Sequence, residues 1–148
     1  MSDSWKPKDY PTVAPYLVVD DVLGELQFLE GVFDAKRTLT LDTPDGTIVH
    51  AEVMIEGSPI MLGGSGGPWP ALTSMLCIYV PDADATITKA LNAGAETTMP
   101  IQDQFYGDRS GIVKSPNGIS YSIHTHQHDL TEDQIKQAMM KQYGDELA

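Results

Sequence analysis

The sequence predicts an α+β fold in which two β-α-β-β-β modules form a curved mixed sheet around a cup. Three observations lead there. The two halves of the chain repeat the same order of segments. Each half has one segment of helical period among several of strand character. A run of Gly, Ser and Pro parts the halves.

In the first half, Val13–Val19 reads as a strand, apolar and β-branched between prolines and aspartates. Asp20-Asp21 supplies an N-cap, and Val22, Leu26, Leu29 and Val32/Phe33 follow at helical spacing. Gly24 and Gly31 weaken that helix, Gly31 near its end. Arg37–Leu41 leads through the turn Thr43-Pro44-Asp45-Gly46 to Thr47–Ile55 and, past Glu56-Gly57-Ser58, to Pro59–Leu62. In the second half, Ser74–Val80 is again a strand. Pro81-Asp82 opens a helix with Ile87, Ala90 and Leu91 on one side, and Gly94 suits the left-handed position that closes it. Ala95–Met99 precedes a long loop, and Gly111–Lys114 and Ile119–Thr125 flank the turn Ser115-Pro116-Asn117-Gly118. In the tail, Thr131 and Gln134 have capping-box spacing, with an apolar stripe of Ile135, Ala138 and Met139 behind them. The expected organisation is one domain over 1–148, with modules at 11–62 and 72–128, a linker at 63–71 and a C-terminal helix at 129–148. One β-α-β-β-β unit is too small to bury both faces of its sheet. Two copies can enclose a cup suited to a small molecule.

Composition narrows the partners. The 148 residues carry 9 Lys+Arg against 21 Asp+Glu, a formal net charge of −12. Such a chain repels phosphate backbones and anionic membranes, so neither nucleic acid nor a membrane surface is an expected partner. No apolar run approaches the ~18 residues of a spanning helix. Residues 1–9 lack the apolar core of a signal peptide. The single Cys77 closes no internal disulfide and reads as a small core residue. The expected location is cytoplasmic.

Four stretches carry a family resemblance. They are Pro15–Asp21, Asp45–Glu52, Asp103–Gly111 (DQFYGDRSG) and Ser115–Gly118 running into Ile123–His126. Over roughly residues 11–128 the chain resembles the glyoxalase/bleomycin-resistance/extradiol-dioxygenase superfamily, also called vicinal oxygen chelate. The third stretch resembles a glyoxalase-like branch of it, from whose common Asp-Pro-Phe-Gly-His the chain departs with Ser115-Pro116-Asn117-Gly118-Ile119. The resemblance implies the paired-module fold, usually as a homodimer with exchanged elements. It leaves the chemistry open, because members include metal-dependent isomerases, dioxygenases, thiol transferases and metal-free drug binders.

The metal positions of those relatives fall here near Ala14, Met61, Met75 and Ser122. None supplies the carboxylate or imidazole that a divalent cation favours. Typical glyoxalase I or extradiol chemistry is therefore not expected, and no cofactor is predicted. A divalent metal stays open only through an atypical set drawn from His50, Glu52, His124 and His126. His50 and Glu52, two apart in a strand, share a face, and His50 is the candidate general base with Glu52 beside it. Tyr16, Met61, Trp69, Met75, Phe105, Tyr106, Arg109 and Ser122 are the candidate ligand-binding residues. Of these, Trp69 serves as a lid or as a linker anchor. Arg109 serves as a carboxylate clamp or, with Asp108, as a pin for its loop. The leading reading is a protein binding a small apolar or aromatic molecule in the cup without the usual metal quartet. The alternatives are a lyase or isomerase with an atypical metal site, and an interaction module using the tail helix.

Overall fold

The structure, a computed structural model, describes residues 4–147. Residues 1–3 and Ala148 lie outside the described residues. Eight strands and three helices follow the expected order: β1 (Tyr16–Val19), α1 (Val22–Phe33), β2 (Lys36–Asp42), β3 (Ile48–Ile55), β4 (Ser58–Gly64), β5 (Met75–Tyr79), α2 (Ala83–Asn92), β6 (Glu96–Asp103), β7 (Asp108–Lys114), β8 (Ser120–His126) and α3 (Glu132–Leu147). The chain forms two compact units. The first runs to Ser74 and takes in Ser115–Ile119. The second holds Met75–Lys114 and everything from Ser120 onward.

Each unit carries a mixed four-stranded sheet, in the orders β1-β4-β3-β2 and β5-β8-β7-β6. In each, the first strand runs parallel to the last while the hairpin strands run antiparallel. The ladders close within a unit, so the expected eight-stranded sheet is two sheets of four.

In the first unit, Leu17, Val19, Ala51, Val53, Ile55, Ile60 and Leu62 alternate onto the face that α1 covers and are buried there. The Asp21 side chain caps α1 by accepting from the Gly24 amide at 2.9 Å. A Cβ on Gly24 would lie 2.3 Å from the Asp21 carboxylate, so this glycine leaves room for the cap. Glu25 shares the buried face of α1 with Val22, Leu26 and Leu29. Its Oε1 accepts from the Ser115 hydroxyl at 2.5 Å, and its buried Oε2 has no partner. Burial pushes the Glu25 carboxyl up to about 7. The β3–β4 hairpin turns on Glu56 (φ 46°) and Gly57 (φ 80°), both left-handed as a type I′ turn requires.

In the second unit, α2 packs on β6, β7 and β8. Asp82 caps it, and Gly94 follows with φ 97°, as expected. Thr131 and Gln134 exchange the two bonds of a capping box at the start of α3.

Two boundaries differ from expectation. Gly63 and Gly64 are not linker but the end of β4, paired with Val18 and Val19. The long loop after Met99 is mostly strand. β6 continues through Pro100 to Asp103, leaving only 104–107 as a turn before β7. β6 lies at the sheet edge, where a proline costs no ladder bond, and its register shifts between Met99 and Gln102.

Candidate functional site

Each sheet has one face that its own helix leaves uncovered, and the polar side chains of both units gather there. In the first unit the register sets Tyr16, Met61 and Glu52 in one row, and Val18, Gly63 and His50 in the next. His50 Nε2 lies 2.9 Å from Glu52 Oε2, and its Nδ1 lies 3.1 Å from the Tyr16 hydroxyl. Tyr10 donates its hydroxyl to Glu52 Oε1. Bonds from Tyr10 and then His50 hold the Glu52 carboxyl below its ordinary value, while that bond raises the Tyr10 phenol. An ionised carboxylate only accepts, so the neutral imidazole donates from Nε2 and accepts at Nδ1. The basic nitrogen therefore faces Tyr16.

The ring of Tyr16 reaches His50 by crossing Gly63. A Cβ at Gly63 would stand 2.5 Å from the Tyr16 hydroxyl and 2.8 Å from the ring. Beside this crossing lies a cavity of about 440 Å³, lined by Tyr16, Val18, Val49, Gly63, Gly64 and Trp69. Trp69 is 67% exposed at its rim, held in a short bridge in which Gly66 and Trp69 exchange backbone bonds at 2.7 and 2.9 Å.

In the second unit the hub is Asp108, only 3% exposed. Its Oδ2 meets the Tyr79 hydroxyl at 2.8 Å and His124 Nδ1 at 2.9 Å, and its Oδ1 meets His126 Nδ1 at 2.7 Å. Burial by itself would raise this carboxyl, but the bonds from His126, Tyr79 and His124 outweigh it and hold the group below its ordinary value. The Tyr79 phenol is pushed up to about 12 by its bond to Asp108. His126 is raised by Asp108 and by Asp129, whose Oδ1 lies 2.6 Å from Nε2. On the far side of His124, Nε2 lies 2.7 Å from the Ser122 hydroxyl.

The structure brings Tyr16, His50, Glu52 and Trp69 together, with Met61 in the same strand row as Tyr16. Ser122, His124 and Tyr106 gather in the second unit, where the tilted ring of Tyr106 lies 6.1 Å from His124. Met75 is exposed at the start of β5. Phe105 packs edge-on against Tyr106 and against Tyr143 of α3, as a bolt for the tail helix. Arg109 turns to the helix side, where its guanidinium holds Asp84 at 2.7 and 3.0 Å and Asp103 at 3.1 Å. This fork is filled by the protein's own carboxylates, the pinning role of the two expected for Arg109, with Asp84 and Asp103 rather than Asp108 as partners. Asp108 and Arg109 do not pair, because consecutive strand residues face opposite ways. Cys77 is exposed on β5 rather than in the core, and burial and then Asp108 raise its thiol. Sequence reasoning missed Tyr10 and Tyr79 and gave Asp108 the wrong partner. The missing signal was the start of β7 at Asp108, which puts 108 and 110 on one face and 109 on the other.

An open-faced sheet on a helix, present twice in one chain, defines the paired β-α-β-β-β class. The chain belongs to the glyoxalase/bleomycin resistance protein/dioxygenase superfamily, whose family model matches residues 11–123. It is 34% identical over 143 residues to an uncharacterized protein of Mycobacterium bovis, covering 89% of this chain and 94% of that one. An uncharacterized Mycobacterium tuberculosis protein matches at the same identity, over 89% and 84% of the two chains. Among solved structures, TioX from Micromonospora sp. ML1 aligns with a TM-score of 0.68 at 24% identity, over 78% of this chain and 98% of that one. The fosfomycin resistance protein FosX from Mesorhizobium loti aligns at 0.59 and 16% identity, over 79% and 92%. At these identities the likeness shows the fold alone.

The superfamily's metal does not fit the residues present. Where the resemblance would place its ligands stand Ala14 and Met61 in the first unit, and Met75 and Ser122 in the second. A methyl, two thioethers and a hydroxyl are poor donors for a hard or borderline cation. His50, Glu52, His124 and His126 are engaged in the hydrogen bonds above. Among the described residues no group of three His, Cys, Asp or Glu is disposed to hold a metal ion.

Proposed function

We propose that the chain binds a small planar aromatic molecule in the first unit's cavity, without a resident metal, with His50 beside the ligand as a proton acceptor. The cavity of about 440 Å³ between Tyr16 and Trp69 carries this reading. Its size falls in the range of roughly 300–1,000 Å³ usual for small-molecule sites. Two aromatic side chains suit a flat apolar ring, and the two glycines let it approach the backbone. His50 Nδ1, 3.1 Å from the Tyr16 hydroxyl, accepts that proton and so leaves the Tyr16 oxygen as one directed polar contact for the ligand.

A thermal-shift panel of fused-ring compounds such as acridine and quinoline tests the binding. A ligand at about 100 times its dissociation constant stabilises the native state by roughly 2.7 kcal/mol, a shift of several degrees. Stabilisation by at least one compound, unchanged by chelator, is the expected result. A flat panel contradicts the binding, and loss of the shift with chelator contradicts its independence from metal.

A further inference from the structure

The second unit carries an arrangement that the proposed ligand site does not use. Ser122, His124 and Asp108 lie in one hydrogen-bonded line. The Ser122 hydroxyl is 2.7 Å from His124 Nε2, and His124 Nδ1 is 2.9 Å from Asp108 Oδ2. The direction of each bond follows from chemistry. Asp108 is an acceptor, so His124 donates from Nδ1. A neutral imidazole then accepts at Nε2, so Ser122 donates to it. The relay is held firmly. Asp108 also receives Tyr79 and His126, and His124 is 7% exposed with tilted ring contacts to Tyr79 at 5.3 Å and Tyr106 at 6.1 Å. Ser122 itself is only half-buried.

We propose that Ser122, His124 and Asp108 form a nucleophile–base–positioning relay that hydrolyses small carboxylic esters, a site distinct from the first unit's cavity. Ser122 Oγ attacks the ester carbonyl while its proton passes to His124 Nε2. Asp108 holds the imidazolium and its tautomer. The ester C–O bond breaks, and the alcohol leaves with the proton from His124. Water then attacks the acyl-serine, giving its proton to His124, and release of the acid restores Ser122. Tyr106 supplies a donor for the developing oxyanion. Its hydroxyl lies 3.2 Å from the Ser110 hydroxyl, and with Ser110 as the donor of that bond the Tyr106 proton is left for the oxyanion. Cys77 and Ile112 flank Ser122 in the ladders and favour a short acyl chain.

The test uses the full chain with a fluorophosphonate probe and with p-nitrophenyl acetate. A fluorophosphonate reports the same activation, since the serine oxygen displaces fluoride at phosphorus. The expected result is a single adduct on the peptide bearing Ser122, and ester turnover that falls at least ~100-fold in Ser122→Ala, the usual weight of a nucleophile with its base. Ser122→Ala loses one half-buried hydroxyl, so circular dichroism unchanged from the parent shows that the fold is kept. Asp108→Asn lowers kcat and leaves KM unchanged, which a merely structural role would not do. No adduct at Ser122, an adduct scattered over surface residues, or equal turnover by Ser122→Ala would overturn the proposal. None of these outcomes touches acridine binding in the first unit.

Discussion

Glu25 is the residue whose environment conflicts most with its chemistry. It is 0% exposed, has one bond to Ser115, and its carboxyl is pushed up to about 7 from an ordinary 4.5. The sign of its effect follows. Below pH 4.5 both the native and unfolded forms are protonated, and the group contributes nothing. Between 4.5 and about 7 the native state keeps a proton that the unfolded chain has lost, so stability falls as pH rises. Above about 7 the cost is complete, about 3 kcal/mol at 1.4 kcal/mol per tenfold. Glu25→Gln mimics the protonated form and keeps the Ser115 hydroxyl bonded. Urea melts should show this variant gaining on the parent from pH 5 to about pH 7 and holding that gain to pH 8. A constant difference across that range would show that Glu25 is already charged in the fold.

At the scale of elements, the two glycines of α1 look equivalent in the sequence and are not. A Cβ at Gly31 meets nothing within 4 Å, while one at Gly24 meets the Asp21 cap at 2.3 Å. Gly31→Ala is expected to gain about 1 kcal/mol from helix propensity. Gly24→Ala gains the same amount and loses about 1 kcal/mol of capping, so it ends near zero. Thermal melts of the two variants decide this, and equal stabilisation would mean that the cap contributes little. The same contrast shows what the sequence could reveal. Strand parity alone put His50 and Glu52 on one face, and spacing alone found the Thr131–Gln134 box, because both depend on local periodicity. The Asp108 hub depends on where β7 begins. Pro100 hid that by breaking the strand pattern of β6 at an edge where a proline is tolerated. Arg109 reads in the sequence as a clamp or a pin, but its partner Asp84 is missed because it lies on a helix that sequence spacing cannot bring near.

For the whole molecule, the −12 charge works against compactness. Five of the acidic residues are engaged in the contacts of the open faces and of Arg109: Glu52, Asp108, Asp129, Asp84 and Asp103. Most of the remaining charge repels itself in water. Raising NaCl from about 0.02 M to about 0.5 M shortens the screening length several-fold and should raise the melting temperature. A fall over that range would show that the ion pairs outweigh the repulsion. The charge bears little on the first unit's cavity, whose lining residues are all uncharged.

The central claim is that this cavity is a binding site organised by Tyr16 across Gly63. The chain has two tryptophans, Trp5 and Trp69, so Trp5→Phe leaves Trp69 as the sole reporter at the cavity rim. Fluorescence titration of that protein with acridine is the most direct measurement. The account predicts a saturable change that weakens at least ~10-fold, about 1.4 kcal/mol, when Gly63→Ala displaces Tyr16. A non-saturating response, or saturation that Gly63→Ala leaves unchanged, would contradict it.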